Sequence, residues 1–183
     1  NWGDDERTSE LHEFLFGPVK ALGLRAEVYG VRYPEDGKAA LRDAGIEYRG
    51  WTPNFDVPEL FARHRVTMHV PRRPYATALR GVPTIRVFEA LACGIPLVSA
   101  PWEDSENLFT PGRDFLLARN GGEMTEMLNH VLTDQSFGEE LASHGLASIR
   151  ARHTCAHRVD ELLSIYMELK GVELDITAGG STN

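Results

Sequence analysis

Residues 86–100 read Arg-Val-Phe-Glu-Ala-Leu-Ala-Cys-Gly-Ile-Pro-Leu-Val-Ser-Ala, and they predict a helix that runs directly into a strand. The helix is expected over Thr84–Cys93, with Gly94 as the C′ residue that ends it. The strand is expected over Pro96–Ala100, and Pro101 stops it because proline cannot donate to a ladder. This order is typical of proteins in which helices cover a parallel sheet.

Outward from this stretch, the chain alternates short strands with amphipathic helices. The other predicted strands are Ala26–Val31, Glu47–Trp51, Val66–Val70 and Asp114–Ala118. The other predicted helices are Glu6–Leu22, Gly37–Ala44, Val57–Arg63, Glu123–Leu132, Phe137–Arg150 and Cys155–Leu169. We therefore predict an α/β fold: a doubly wound, mainly parallel, Rossmann-like sheet with helices on both faces. Ligands of such sheets bind beyond the carboxyl ends of the strands, where we expect the loops Pro71–Pro83 and Pro101–Ser105.

The domain boundaries follow from the apolar pattern. Residues 1–170 are expected to form one domain, followed by a flexible tail over residues 171–183. Apolar residues at helical spacing in two of the last three helices are predicted to belong to the core: Met124, Met127, Leu128, Val131, Val159, Leu162, Tyr166 and Leu169. The chain starts where a first strand ought to have just ended, so we expect it to be part of a longer protein.

Charge is distributed unevenly along this acidic chain. The net charge is −8, yet the window Leu60–Phe88 holds no acidic residue and six arginines: Arg63, Arg65, Arg72, Arg73, Arg80 and Arg86. A local cationic patch indicates an anionic ligand held at one place, and arginine forks suit carboxylates and phosphates. The alternative is a set of surface arginines paired with acids from elsewhere in the fold.

Several classes of protein are disfavoured by composition. The negative charge argues against nonspecific binding to nucleic acid or anionic membranes. No apolar run approaches the roughly 20 residues that cross a bilayer, and the polar N-terminus is not a signal peptide. Two cysteines, Cys93 and Cys155, form no disulfide framework. These features predict a cytoplasmic protein with reduced thiols.

The start of the predicted helix Thr84–Cys93 carries groups suited to a nucleotide. Its first backbone N–H groups can face an oxyanion. One turn further, Glu89 can accept hydrogen bonds from two vicinal hydroxyls, such as those of a ribose. The alternative is a plain surface pair between Arg86 and Glu89, which contributes little.

The run Phe88-Glu-Ala-Leu-Ala-Cys-Gly-Ile-Pro-Leu-Val-Ser99 resembles the signature of the C-terminal domain of GT-B-fold glycosyltransferases. It covers the second glutamate of their Glu-x7-Glu motif and the Ala-x-Gly-x-Pro-Val-Val run. The wider segment Val66–Leu163 more closely resembles the CgeB-type (spore maturation protein) glycosyltransferases. The residues that carry this resemblance are the Arg-x-Phe-Glu start, Leu108-Phe-Thr-Pro-Gly-Arg-Asp114 and His153-Thr-x2-His-Arg158.

The resemblance implies a donor-binding domain that takes a nucleotide sugar as substrate. Glu89 would bind the ribose, while Arg72, Arg73, Arg86 and Thr84 would surround the diphosphate. The first glutamate of the motif falls at Gly81, which leaves the stereochemistry of the reaction open. No Asp-x-Asp is present, so we expect neither a metal nor a cofactor. The acceptor is expected to bind to an N-terminal domain that this chain lacks.

Further candidates for the cleft are weaker. His69, at the end of a predicted strand, is a candidate general base or hydrogen-bond donor. Trp102 and Asp104 are expected to line the cleft after the Pro96–Ala100 strand, and Asp4 and Arg7 to approach the donor from the first helix. Helical spacing would also let His153 and His157 bind zinc beside Cys155, but no fourth ligand is evident, and we expect no metal site.

Two other functions remain open from the sequence. One is a sugar-nucleotide epimerase built on the same fold. The other is a nucleotide-binding or interaction module without catalysis, which the glycine at the first motif position favours.

Overall fold

The computed structural model describes residues 7–79, 81–82 and 84–171. The strands are β1 (Ala26–Tyr29), β2 (Ile46–Gly50), β3 (Thr67–His69), β4 (Leu97–Ser99) and β5 (Leu116–Leu117). The helices are α1 (Thr8–Leu11), α2 (Gly17–Leu22), α3 (Glu35–Asp43), α4 (Val57–Ala62), α5 (Arg73–Thr77), α6 (Ile85–Ala92), α7 (Gly121–Thr133), α8 (Gln135–Arg152) and α9 (Cys155–Lys170). A π-helical segment, His12–Phe16, joins α1 to α2, and a 3-10 turn, Asn54–Asp56, precedes α4.

Strand pairing among the described residues is parallel, as predicted, and forms two sheets. Strand β1 pairs with β2, and β4 lies between β3 and β5. Neighbouring residues of β4 enter different apolar clusters, because successive side chains of a strand point to opposite faces. Val98 packs with Val19, Met124 and Leu128 on one face. Leu97 packs with Val87 and Ile149 on the other. Helices therefore cover both faces of the sheet, which confirms the predicted α/β class.

The first predicted helix is continuous through a π-helical segment. Pro18 is the second residue of α2, two residues after this segment ends. A proline ring collides with the carbonyl four residues earlier in a regular α-helix, and a wider π turn relieves that collision. The predicted loop after β3 also contains the short helix α5, whose first turn holds Pro74.

The predicted core role of the last helix is wrong. The stripe on α7 is buried at Met124, Leu128 and Val131. By contrast, none of the described side chains of α9 is buried, and Leu169 is 81% exposed. The helical spacing on α9 correctly predicts an amphipathic helix, but the described part of the chain brings no apolar surface against it. No helix in the described ranges has the length and apolarity needed to cross a bilayer.

Close packing of α8 against α6 depends on a glycine. A Cβ on Gly145 would lie 2.7 Å from a methyl of Leu91 and 2.8 Å from the backbone oxygen of Asp114. We expect Gly145→Ala to lower the free energy of unfolding by about 1–2 kcal/mol, because overpacking outweighs the gain in helix propensity. Urea unfolding measures the change.

Gly138, on the same helix, is the matched control. A Cβ there meets nothing closer than 3.4 Å. Gly138→Ala should therefore leave stability unchanged or raise it by up to about 1 kcal/mol. Equal effects at the two positions would show that α6 and α8 are not packed as closely as described.

Candidate functional site

The candidate site lies where β3 and β4 end. His69 and Ser99 are the last residues of these neighbouring strands and are partners in the ladder. Both are buried, as polar residues in an otherwise apolar layer. Their position at the carboxyl edge is the position at which open parallel sheets bind ligands.

Both ring nitrogens of His69 are within hydrogen-bond distance of a hydroxyl. Nδ1 is 2.8 Å from Oγ of Ser99. Nε2 is 2.8 Å from Oγ1 of Thr84. Burial, and secondarily the guanidinium of Arg7, lowers the pKa of His69 to about 4. His69 is therefore neutral near pH 7 and connects β3 and β4 to the start of α6.

Helix α6 begins at this edge with Thr84 as its N-cap. Thr84 is extended, and its side chain makes no capping hydrogen bond to the first turn. Glu89 lies one turn along and forms an ion pair with Arg86. Its side chain is 23% exposed. Ile85 is mostly exposed, whereas Leu91 is buried.

The loop after β4 borders an open depression of about 430 Å³, whose described lining is Ala76, Pro101, Trp102 and Glu103. Trp102 stacks on Phe115. Its indole Nε1 is buried and has no hydrogen-bond partner among the residues described. A buried N–H without a partner is unusual in proteins.

Asp104 does not line this depression. Its carboxylate accepts hydrogen bonds from the backbone N–H groups of Leu108, at 3.0 Å, and Phe109, at 2.9 Å. The side chain therefore closes the loop over residues 104–109. Donor binding by Asp104 stays a prediction, although both carboxylate oxygens already have backbone partners.

The arginine window is partly occupied by ion pairs. Arg73 contacts the carboxylate of Glu10 through two nitrogens, at 2.8 and 3.0 Å. Arg63 pairs with Glu59, as Arg86 does with Glu89. These three arginines therefore have acidic partners, which is the alternative interpretation of the window. To bind a diphosphate, Arg73 would have to release Glu10. Arg80 lies outside the described residues.

Arg7 lies at the carboxyl end of β3. Its Nη1 donates to the carbonyl of Val70 at 3.0 Å. Burial, and to a smaller extent the charge of Arg72, lowers the pKa of Arg7. Arg7 and Arg72 are therefore near neighbours, as expected if both approach an anion. Asp4, the other candidate from this end of the chain, lies outside the described residues.

The position of the first motif glutamate is filled by a tightly packed glycine. Gly81 is buried and has a φ of 80°, which favours glycine. A Cβ there would lie 1.9 Å from Oγ of Ser105. A glutamate would therefore require both a strained backbone and a displaced Ser105.

His153 and His157 make contacts within the protein. The ring of His153 packs between Phe88 and Phe109, and its Nε2 lies 2.9 Å from the carbonyl oxygen of Leu108. Within the described ranges, no group of three or more His, Cys, Asp or Glu side chains is placed to hold a metal. His157 contacts the hydroxyl of Thr154.

Residues 7–164 match a family described as glycosyl transferase-like. A search of curated proteins finds no significant match. The family match spans β1 to β5 and every element of the candidate site. It does not distinguish the CgeB-type subgroup, which stays a prediction.

Solved structures with the same fold are GT-B glycosyltransferases. A sucrose-phosphate synthase from Thermosynechococcus elongatus is 15% identical, with a TM-score of 0.74 over 92% of this chain and 44% of the other. HepE from Anabaena, in complex with UDP and glucose, is 19% identical, with a TM-score of 0.62 over 82% of this chain and 44% of the other. The C-terminal domain of LpcC, a glycosyl transferase group 1 family protein from Francisella tularensis, is 12% identical, with a TM-score of 0.62 over 82% of this chain and 80% of the other. The chain thus spans less than half the length of the first two.

Proposed function

This chain belongs to the glycosyl transferase-like family, and on that premise we propose that it is the donor-binding half of a glycosyltransferase. It would bind a nucleotide sugar, whose sugar passes to an acceptor hydroxyl or another nucleophile. The observation that carries the proposal is the start of α6, which lacks a side-chain cap and lies at the carboxyl edge, joined through Thr84 to His69. Arg7 lies close to His69, and Arg72 lies close to Arg7. A neighbour of the same fold in complex with UDP supports a nucleoside diphosphate as the ligand.

Several candidate side chains have a role in this proposal. The first N–H groups of α6, with Arg72 and Arg86, would neutralise the charge that grows on the leaving diphosphate. Glu89 would leave its ion pair with Arg86 to accept the ribose hydroxyls. Trp102, which lines the depression after β4, would contact the donor. The bond from the anomeric carbon to the diphosphate oxygen breaks, and the bond to the acceptor oxygen forms.

We propose that this chemistry needs no metal, because arginines and a helix start supply the positive charge. The acceptor, and the base that takes its proton, would come from an N-terminal domain of a longer protein. The unpaired thiols of Cys93 and Cys155 support a cytoplasmic location.

A nucleotide-binding module without catalysis is the second candidate. The packing of Gly81 against Ser105 favours it, because it leaves no room for the first glutamate of the motif. Product analysis of a full-length protein separates the possibilities. A transferase releases the nucleotide and an acceptor-linked sugar, an epimerase returns an altered nucleotide sugar, and a module turns over neither.

The 183 residues alone should bind a nucleoside diphosphate. A ligand specific for the folded state at a hundredfold excess over Kd adds about 2.7 kcal/mol to stability. Millimolar UDP, GDP, ADP or CDP, or the matching nucleotide sugar, should therefore raise the Tm by several degrees in a thermal-shift panel. EDTA should not change the shift. A Tm shift that requires manganese would contradict the metal-free proposal. If none of these nucleotides raises the Tm, the proposed donor site loses its support.

A further inference from the structure

The hydrogen bonds around His69 have one arrangement that satisfies every group. The hydroxyl of Ser99 donates to the carbonyl of Ala100 at 2.8 Å. Its oxygen must then accept from Nδ1–H of His69. In a neutral imidazole the other nitrogen is bare, so Nε2 accepts the hydroxyl proton of Thr84. The opposite tautomer would leave the Ser99 and Ala100 oxygens facing each other without a proton.

This arrangement fixes the direction of the Thr84 hydroxyl. Threonine at an N-cap normally accepts from an N–H of the first helical turn and so occupies the site at which an anion binds. Here the hydroxyl points back to His69, and Thr84 makes no capping bond. The first N–H groups of α6 are therefore not taken by the side chain of their own N-cap.

We propose that His69 is a positioning residue, which holds the Thr84 hydroxyl on its Nε2 and thereby keeps the start of α6 open for the donor diphosphate. This inference rests on the proposed function. A released Thr84 would turn toward its own helix and compete with the phosphate oxygens for the same N–H groups.

A role for His69 as general base is not supported by its surroundings. The side chain is 6% exposed, and both nitrogens face hydroxyls of the protein. The charged group beside it is Arg7, which opposes protonation. The imidazole therefore neither meets the substrate nor gains a proton near pH 7. It acts through Thr84.

Two amide substitutions of His69 test its two hydrogen bonds separately. The amide of His69→Asn reaches only the position of Nδ1, so it keeps a donor for Ser99 and releases Thr84. The oxygen of His69→Gln reaches the position of Nε2 and keeps an acceptor for Thr84. By calorimetry, we expect UDP to bind about tenfold more weakly to His69→Asn, the equivalent of one hydrogen bond to a charged group. Binding to His69→Gln should recover to within about threefold of the wild type, and the affinity of uridine, which lacks the diphosphate, should be the same in all three proteins.

Thr84 variants and the tautomer provide independent tests. Thr84→Ser, which keeps the hydroxyl, should bind UDP as the wild type does. Long-range ¹H–¹⁵N NMR of the wild type should show His69 protonated on Nδ1, which tests the arrangement even if His69→Asn fails to fold.

A proton on Nε2, equal UDP affinity in His69→Asn and wild type, or parallel losses for uridine and UDP would each overturn the positioning role. Wild-type protein that binds none of the panel nucleotides would overturn the proposed function itself, and this inference with it.

Discussion

Acidification from about pH 6.5 to about pH 4 should remove about 3 kcal/mol of stability through His69 alone. Burial lowers the pKa of this imidazole to about 4 in the folded protein, from the 6.5 expected of an unfolded chain. Each pKa unit corresponds to about 1.4 kcal/mol. In this window the unfolded chain takes up a proton that the folded protein does not, so the free energy of unfolding falls as the pH falls.

Urea unfolding at intervals between pH 7 and pH 4.5 measures this slope. His69→Gln is the control, because its amide does not titrate in this range. The variant should lose the part of the slope that His69 contributes, whatever its stability at pH 7. Protonation of carboxylates also lowers stability as the pH falls, and it does so in both proteins. Glu10 is an example, because a hydrogen bond from Arg73 is the chief cause of its lowered pKa. Identical slopes in the two proteins would show that His69 takes up its proton in the folded protein over the same pH range as in the unfolded chain.

Loss of the Glu89 carboxylate should weaken nucleoside diphosphate binding by about 10- to 100-fold. That range corresponds to hydrogen bonds between a charged acceptor and the two ribose hydroxyls. Calorimetry with Glu89→Ala and UDP measures the loss. Folding should hardly change, because an exposed ion pair such as that with Arg86 contributes little.

Glu123 is the matched control for Glu89. It also forms an ion pair on a helix, with Arg119, and its side chain is 22% exposed, against 23% for Glu89. Glu123→Ala should leave UDP binding unchanged. A 2′-deoxy nucleotide should bind to the wild type more weakly than the matching ribonucleotide does. The Glu89→Ala substitution should reduce its affinity by a smaller factor than it reduces the affinity of UDP. A substitution that unfolds the domain but leaves binding per folded molecule intact would make Glu89 a structural residue.

The fold was largely predictable because its elements are bounded by residues with strong local effects. Gly94 has the positive φ expected of a C′ residue, and α6 and β4 lie within their predicted ranges. Pro71 and Pro101 follow β3 and β4 closely, as expected of residues that cannot extend a ladder. Local signals of this kind do not depend on the rest of the chain.

Contacts between distant segments were not predictable in the same way. Arg73 lies in a window that holds no acidic residue, and its ion-pair partner Glu10 is 63 residues away in the sequence. Arg65, in the same window, donates to the carbonyl of Leu132, 67 residues away. The apolar period of α9 indicates an amphipathic helix without indicating whether anything covers it.

Ser99 is the site residue that the sequence reasoning missed. A signal was present in the sequence. Ser99 is the polar residue near the end of an apolar predicted strand, and His69 holds the same place in the predicted strand before it. Two polar residues at the ends of adjacent parallel strands are expected to meet. The register that makes them partners became clear only from the structure.

Chemical shift mapping tests the central claim, that a nucleoside diphosphate binds at the start of α6, most directly. In a titration of ¹⁵N-labelled protein with UDP, GDP and ADP, at least one should shift the backbone amides of Ile85 and Arg86 and the indole N–H of Trp102. The indole signal of Trp51 serves as an internal reference. Shifts confined to other parts of the chain, or none with any nucleotide at millimolar concentration, would contradict the claim.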